Sequence, residues 1–242
     1  TTLFRSGVES FVDMRIDAVL FCTATSADSV ELVRSNGIPA VEIERSCLLD
    51  APFVRVDNYA GSFEATEHLI GRGHSRIGFV GGHPDLYIKD AGRARSVEQD
   101  RLSAFHDAHE KAGLRVNSDL IRLGKYYEVP GRGSGAIGFE HTWDLLNRDE
   151  RPTAIFATCD ILASGALQAI ADFGLAVPDD IAVVGFDDTI AFNLTPQLTT
   201  VAQPMDELGQ SAFEVAHALI EGHQPNHETI LRSRLVVRSS SG

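Results

Sequence analysis

The sequence predicts an α/β protein built on parallel sheets, and three observations support this fold class. Short apolar runs alternate with longer amphipathic stretches, which is the pattern of successive βαβ units. Runs such as Ile181–Val184 are continuously apolar, as expected for strands that are buried on both faces of a parallel sheet. The 242 residues, 43% hydrophobic and 23% charged, are enough for one large domain or two small ones.

The predicted strands follow one another along the whole chain. They are Ala18–Cys22, Ala40–Ile43, Phe53–Val56, Ile77–Val80, Ile121–Leu123, Ala154–Ala157 and Ile181–Val184, with shorter pieces near Thr199–Val201 and Leu235–Val237. Each lies between turn-forming residues or amphipathic stretches, so consecutive strands are expected to be joined by helices.

The predicted helices carry apolar stripes at helical spacing, and three of them end at a glycine suited to the C′ position. The stripes are Leu102, Phe105, Ala108 and Ala112 before Gly113; Leu162, Ala166, Ile170 and Phe173 before Gly174; Leu208, Ala212, Val215 and Leu219 before Gly222; and Phe139, Trp143 and Leu146. We expect all of these residues, including Trp143, to lie in the hydrophobic core.

The composition argues against several classes of protein. The net charge of −13 repels phosphate backbones, so this segment is a poor candidate for direct DNA contact. Three cysteines, an odd and sparse set, favour a reducing cytoplasm over a disulfide scaffold. No apolar run is long enough to suggest a membrane span, and no signal-peptide pattern is present. The sequence therefore favours a cytoplasmic protein without a membrane partner.

The run Val177–Asp188 (VPDDIAVVGFDD) suggests where a ligand would bind. Its apolar strand ends at two adjacent carboxylates, Asp187 and Asp188. In open α/β sheets, ligands bind beyond the carboxyl ends of the strands, where a carboxylate can accept hydrogen bonds. Turn or N-cap aspartates are the alternative, because strand-to-helix loops favour them in any protein.

Four further runs share the character of the first: His68–Gly82 (HLIGRGHSRIGFVGG), Arg151–Ile170 (RPTAIFATCDILASGALQAI), Leu198–Pro204 (LTTVAQP) and Glu207–Ala212 (ELGQSA). In this order and spacing, the five runs resemble the effector-binding core of the lactose-repressor (LacI/GalR) family of bacterial transcription regulators. The resemblance extends from about Val12 to Arg238.

This resemblance implies a fold like that of type I periplasmic sugar-binding proteins, with two doubly wound parallel-sheet subdomains and a ligand cleft between them. The N-subdomain is expected to comprise residues 1–56 and 203–231, and the C-subdomain residues 57–202 and 232–242. The resemblance also implies a homodimer and an N-terminal helix-turn-helix module that binds operator DNA.

The chain departs from the family pattern at its start. No helix-turn-helix precedes the core, and Ile16–Cys22 is similar to the family's third strand rather than its first. A chain that began at Thr1 would expose the unpaired backbone N–H and C=O groups of a sheet edge. The sequence is therefore expected to be truncated. The missing part is expected to contain both the DNA-binding module and the near wall of the ligand cleft.

Arg101 and Asp187 are the leading candidates for ligand contacts. Arg101 lies where the resemblance places a ligand-contacting arginine, at the start of a predicted helix Arg101–Ala112, although a solvated helix arginine is the alternative. Its guanidinium offers five donors in a fixed fork, which suits vicinal hydroxyls or a carboxylate. Asp187 matches the family's acidic contact, and a nearby Arg101 would compensate its burial. Asp188 is expected to be a structural partner.

Cys159 occupies a position where most relatives carry an amide or a hydroxyl. Since a thiol is a weak donor, the ligand preference of a relative does not transfer directly. A nucleophilic role for Cys159 is disfavoured because no histidine is placed by motif to activate it. The adjacent Asp160 is interpreted as the N-cap of the next helix.

Three further residues are candidate contacts by resemblance. Tyr126 lies near the family's aromatic residue that stacks on the ligand, although Tyr127 is about equally probable. Glu44 corresponds to an acidic pocket position that is usually aspartate, and its longer side chain would narrow the cleft. Asp57 ends a strand at a crossover, where it could face the cleft or cap the next helix. His83 begins the variable loop and could also touch the ligand.

The leading functional hypothesis is the ligand-sensing core of a LacI-type transcriptional regulator, most simply a repressor. Its effector would be a small metabolite, with a sugar favoured and a nucleobase as runner-up. The alternative is a solute-binding protein for sugar uptake. An enzyme is disfavoured because the sequence shows no catalytic triad, no metal-ligand spacing such as HExxH and no phosphate-binding loop, so no cofactor is expected.

Overall fold

A computed structural model describes residues 2–14, 16–22, 27–46, 50–85, 96–125 and 133–242, without the side chains of residues 2–6 and 134. The described chain forms two compact units. Unit 1 comprises the described residues up to 57, residues 96–97 and residues 204–231, and unit 2 comprises residues 58–85, 98–203 and 232–242. In both units helices cover the two faces of a sheet whose strands are mostly parallel, which confirms the predicted fold class.

The helices and strands are numbered in chain order. The helices are α1 (Thr2–Asp13), α2 (Ala27–Ser35), α3 (Asn58–Gly71), α4 (Val97–Lys111), α5 (Ser134–Leu146), α6 (Asp160–Asp172) and α7 (Met205–Ile220). The strands are β1 (Val19–Cys22), β2 (Ala40–Ile43), β3 (Phe53–Val56), β4 (Ile77–Gly82), β5 (Ile121–Gly124), β6 (Ala154–Ala157), β7 (Ala182–Asp187), β8 (Thr199–Ala202), β9 (Glu228–Leu231) and β10 (Arg234–Val236).

Unit 1 is built on a four-stranded parallel sheet with the order β1-β2-β3-β9. Side chains alternate between the faces of each strand, so Ala40 packs with α1 and α2 while its neighbour Val41 packs with α7. The stripe predicted for Leu208, Ala212 and Val215 is buried against this second face. Helices thus cover both faces, which explains why β2 is buried at every position.

Unit 2 is built on a six-stranded sheet with the order β10-β8-β7-β6-β4-β5, in which only the β10–β8 pair is antiparallel. One face packs against α3 and α4 through a cluster that includes Phe79, Phe105 and Phe156. The other face packs against α5 and α6. The chain runs from β4 to β5 on one side and returns to β6 on the other, so the strand order switches direction beside β4. Such switch points open a crevice at the carboxyl ends of the strands.

Two expectations about local structure are wrong. The first concerns the core, since Ala112 is exposed, and Trp143 is not a core residue, because 39% of its surface is exposed. It stacks on Phe139 with ring centroids 5.7 Å apart and meets Phe173 edge-on at 5.3 Å, which covers the ring on the outside of α5. The second error concerns α4, which begins at Val97, four residues before the predicted start, so Arg101 lies in its second turn.

Helices α5 and α6 approach each other closely because glycines replace side chains where they cross. A Cβ atom added at Gly165 of α6 would collide with the carbonyl oxygen of Gly135, and one added at Gly138 would collide with the backbone of Leu162. These obstacles are backbone atoms, so they cannot move aside without separating the helices.

We therefore expect Gly165→Ala to lower the free energy of unfolding of unit 2 by about 1–3 kcal/mol through overpacking. Gly209→Ala is the matched control, because Gly209 also lies inside a helix but nothing lies within 4 Å of its added Cβ. This control is expected to be neutral or stabilising by about 0.5–1 kcal/mol. Urea unfolding of the two variants measures both effects, and equal stabilities would contradict the close crossing of α5 and α6.

Four histidines of unit 2 have their pKa lowered by burial: His68, His74, His109 and His141. His109 is 2% exposed, its Nδ1–H donates to the Phe105 carbonyl oxygen at 2.8 Å, and its ring lies 4.4 Å from the Phe105 ring. The folded state therefore favours neutral imidazole. The stabilisation is complete above the ordinary histidine pKa near 6.5 and is lost as pH falls through that value towards the lowered folded pKa.

We expect the unfolding free energy to decrease between pH 7 and pH 5, by up to roughly 1.4 kcal/mol per pH unit for each such group. His109→Gln is expected to flatten this slope, and the exposed His223→Gln serves as the surface control. Chemical unfolding at a series of pH values provides the measurement. A slope that is the same in all three proteins would show that His109 is not held neutral by the fold.

Candidate functional site

The carboxyl ends of the unit 2 strands bring together polar side chains from distant parts of the chain. Arg101 comes from α4, which follows β4, and Asp187 is the last residue of β7. Arg101 Nη2 lies 3.9 Å from Asp187 Oδ1, and the two side chains are 11% and 23% exposed. A donor and an acceptor of opposite charge therefore lie side by side and partly open to solvent, as the sequence predicts for these two residues.

The guanidinium of Arg101 is held on three sides. Its Nε–H and Nη2–H groups both donate to Asn58 Oδ1, at 2.9 and 2.8 Å, and its Nη1–H donates to the Thr158 carbonyl oxygen. The guanidinium carbon also lies 3.8 Å from the centroid of the Phe186 ring, a cation–π arrangement. Since a guanidinium has five N–H donors, these contacts use three and leave one on each terminal nitrogen.

Asp187 is also held by a hydrogen bond to its Oδ1 atom. Gln203 Nε2 donates to Asp187 Oδ1 at 2.6 Å, and Gln203 follows directly after β8. Asp187 and Asp188 have φ angles of 115° and 58°, a conformation that costs non-glycine residues about 1–3 kcal/mol each. Arg238 holds Asp188 through contacts of 2.8 and 3.0 Å to the two carboxylate oxygens, which confirms the structural role expected of Asp188.

Cys159 is near this pair but is a poor nucleophile. Burial, and then the negative charge of Asp187, raise the pKa of its thiol to about 12. The thiol is therefore protonated at neutral pH, and only the thiolate is strongly nucleophilic. Cys159 precedes α6 as its N-cap residue but makes no capping hydrogen bond through its side chain. At the site, the Cys159 side chain thus provides a small, weakly polar surface.

The expected N-cap role of Asp160 is wrong. Asp160 is the first residue of α6 and is fully buried, and its carboxylate bonds to other segments. It accepts hydrogen bonds from the backbone N–H groups of Thr189 and Ile190 at 2.8 and 3.4 Å and from the Thr200 hydroxyl at 2.6 Å. Burial raises the pKa of this carboxyl, and these three donors oppose that rise. Asp160 thus holds the loop that follows Asp187.

Four further candidates were predicted from the sequence. Glu44 and Asp57 belong to unit 1, where Glu44 Oε1 accepts a hydrogen bond from the Val56 N–H at 2.6 Å and the Asp57 N–H donates to the Leu231 carbonyl oxygen at 2.8 Å. Tyr126 lies outside the described residues. His83 is exposed, and its Nδ1 accepts a 3.2 Å hydrogen bond from the Asp85 N–H.

Sequence reasoning missed three residues that shape the site: Asn58, Phe186 and Gln203. Asn58 directly follows the candidate Asp57, and Phe186 directly precedes the candidate Asp187. Gln203 lies within the run LTTVAQP. Among the residues that the structure describes, no group of three or more metal-ligating side chains exists, and no helix is long and apolar enough to cross a membrane.

Comparison with known proteins decides the family. Residues 66–241 match the family model described as a periplasmic binding protein-like domain. The fold is shared with a crystal structure of a regulatory protein of the LacI family from Chloroflexus aggregans, with a TM-score of 0.82 and 30% identity over 99% of this chain and 83% of that chain. The chain belongs to the LacI/GalR family, with a periplasmic binding protein-like fold.

Two further relatives of this LacI/GalR chain are transcriptional regulators. The ribose operon repressor of Escherichia coli strain K12 is 33% identical over 232 residues, which cover 94% of this chain and 64% of the repressor. The transcriptional regulator CelR, solved as a cellobiose complex, has a TM-score of 0.81 and 27% identity over 97% of this chain and 69% of that chain. This LacI/GalR chain thus spans less than two thirds of the length of the ribose operon repressor. These relatives are transcriptional regulators, which disfavours the solute-uptake alternative.

Proposed function

We propose that this chain is the effector-binding part of a transcriptional repressor and that unit 2 provides the charged half of its ligand site. The proposal rests on the Arg101–Asp187 pair, which presents two unused N–H donors beside a carboxylate acceptor. A ligand with adjacent hydroxyl groups can accept from Arg101 and donate to Asp187 at once. Every hydroxyl group of a sugar can both donate and accept, so a sugar is favoured over a nucleobase.

The similarity to a repressor of a ribose operon and to a regulator crystallised with cellobiose supports a sugar effector. Units 1 and 2 would be the N- and C-subdomains, and Glu44, Asp57, Cys159 and Tyr126 would complete the binding site. Binding would then favour one arrangement of the subdomains, and this change would alter operator binding by a helix-turn-helix module in a cytoplasmic homodimer. No catalytic step is proposed, since Cys159 is held as a neutral thiol.

The experiment has two arms. A thermal-shift screen of this chain against pentoses, hexoses, disaccharides and purines is expected to give stabilisation by one or a few sugars, confirmed by isothermal titration. The full-length protein is then expected to sediment as a dimer and to change its operator affinity in a gel-shift experiment when the same sugar is added. Binding of purines alone would overturn the sugar assignment, and operator binding that no ligand alters would overturn the regulatory function.

A further inference from the structure

Asn58 is the residue that fixes the direction of Arg101. Its Oδ1 is the shared acceptor of two Arg101 donors, at 2.9 and 2.8 Å, and the residue is only 1% exposed. Because two N–H groups on one edge of the guanidinium converge on one oxygen, rotation of the guanidinium would break both hydrogen bonds at once. The Phe186 ring limits movement out of the plane. The two unused N–H donors of Arg101 therefore point in a fixed direction.

Asn58 also has a particular place in the chain. It is the first residue of unit 2 and the first residue of α3, and it directly follows Asp57, which ends the first segment of unit 1. The Asp57 N–H is bonded to the Leu231 carbonyl oxygen, so the backbone before Asn58 is tied to a second segment that passes from unit 1 to unit 2. The position of Asn58 Oδ1 thus depends on the backbone of the crossover.

We propose that Asn58 is a positioning residue, which orients Arg101 for the effector and couples that orientation to the first crossover between the units. The inference rests on the proposed effector site. Asn58 acts through Arg101 and needs no contact with the ligand, so removing its acceptor leaves Arg101 charged and present but free to turn. The loss is then one of orientation, which lowers affinity without removing the charge.

The test compares three substitutions at position 58. Asn58→Ser, whose hydroxyl stops short of the Oδ1 position, and Asn58→Leu, which has no acceptor, are expected to raise the Kd for the sugar found in the screen by about 10- to 100-fold. Asn58→Asp keeps an oxygen at the Oδ1 position and is expected to bind within about fivefold of the parent chain, since charged acceptors bind arginine well. In an Arg101→Ala background, Asn58→Ser is expected to cause no further loss, because two residues that act through one contact are not additive.

A spectroscopic readout tests the contact without any ligand. The Arg101 Nε–H is expected to give a protected signal in ¹H–¹⁵N NMR spectra, assigned by its loss in Arg101→Ala. The signal is expected to disappear in Asn58→Ser and to persist in Asn58→Asp. A purely structural role for Asn58 would lower the melting temperature without this pattern.

The outcomes separate the two claims. If the parent chain binds a sugar and Arg101→Ala abolishes binding while Asn58→Ser leaves both Kd and the Nε–H signal unchanged, the positioning role is refuted and the proposed function stands. Additive losses in the double variant also refute it. If no sugar binds the parent chain, the proposed function fails, and the NMR experiment still decides whether Asn58 fixes Arg101.

Discussion

Replacing Arg101 by alanine is expected to weaken effector binding by about 2–4 kcal/mol, roughly 30- to 1000-fold in Kd. The substitution removes both unused donors and leaves Asp187 without its neighbouring positive charge. It also removes the partner of Asn58 Oδ1 and the cation over the Phe186 ring. Isothermal titration with the sugar found in the screen provides the measurement.

Arg101→Lys is a second variant for the same site. Lysine keeps the charge but cannot reproduce the planar fork that reaches Asn58 and Thr158 together, so an intermediate loss is expected. Arg115→Ala serves as the control, because Arg115 is an exposed arginine of unit 2 and its removal is expected to leave the Kd unchanged. An unaltered Kd for Arg101→Ala would remove Arg101 from the site.

Replacing Asp160 by alanine is expected to lower the free energy of unfolding of unit 2 by about 2–4 kcal/mol. The backbone N–H groups of Thr189 and Ile190 and the buried Thr200 hydroxyl would lose their common acceptor. In a chain of this length such a loss corresponds to a decrease of roughly 4–16 °C in the melting temperature. Differential scanning calorimetry measures the change.

Asp172→Ala is the matched control for this prediction. Asp172 is also an aspartate at an end of α6 and also accepts a side-chain hydrogen bond, from Gln168 Nε2 at 2.6 Å, but it is exposed. Its removal is expected to change the unfolding free energy by no more than about 0.5 kcal/mol. Similar losses for the two variants would show that the buried network around Asp160 does not stabilise the loop after β7.

The buried strands are the part of the fold that the sequence predicts best. Strands β6 and β7 were predicted within a few residues, because a strand covered on both faces must be apolar at nearly every position. Strand β9 was missed, since its burial pattern is exposed, intermediate, exposed and buried, and its sequence Glu228–Leu231 contains no continuous apolar run. Edge strands have fewer neighbours and thus a weaker pattern.

The candidate site was only partly predictable for a similar reason. Asp187 follows a strand and Arg101 was placed by resemblance, so both could be named from the sequence. Asn58 contacts Arg101 across 43 residues, and Gln203 contacts Asp187 across 16, and neither contact has a local pattern. The error at Asp160 has the same origin, because an aspartate before a helix is usually its cap, while here three donors from distant segments bind it instead.

A crystal structure of this chain with the sugar found in the screen shows whether Arg101 and Asp187 bind the effector together. We predict that Arg101 and Asp187 both lie within about 2.7–3.2 Å of oxygen atoms of the same sugar molecule. The hollow of about 520 Å³ in unit 1, lined among others by Arg34, Asp50 and His227, provides the contrasting location. A sugar bound there, with Arg101 and Asp187 making no contact to it, would show that these two residues do not form the effector site.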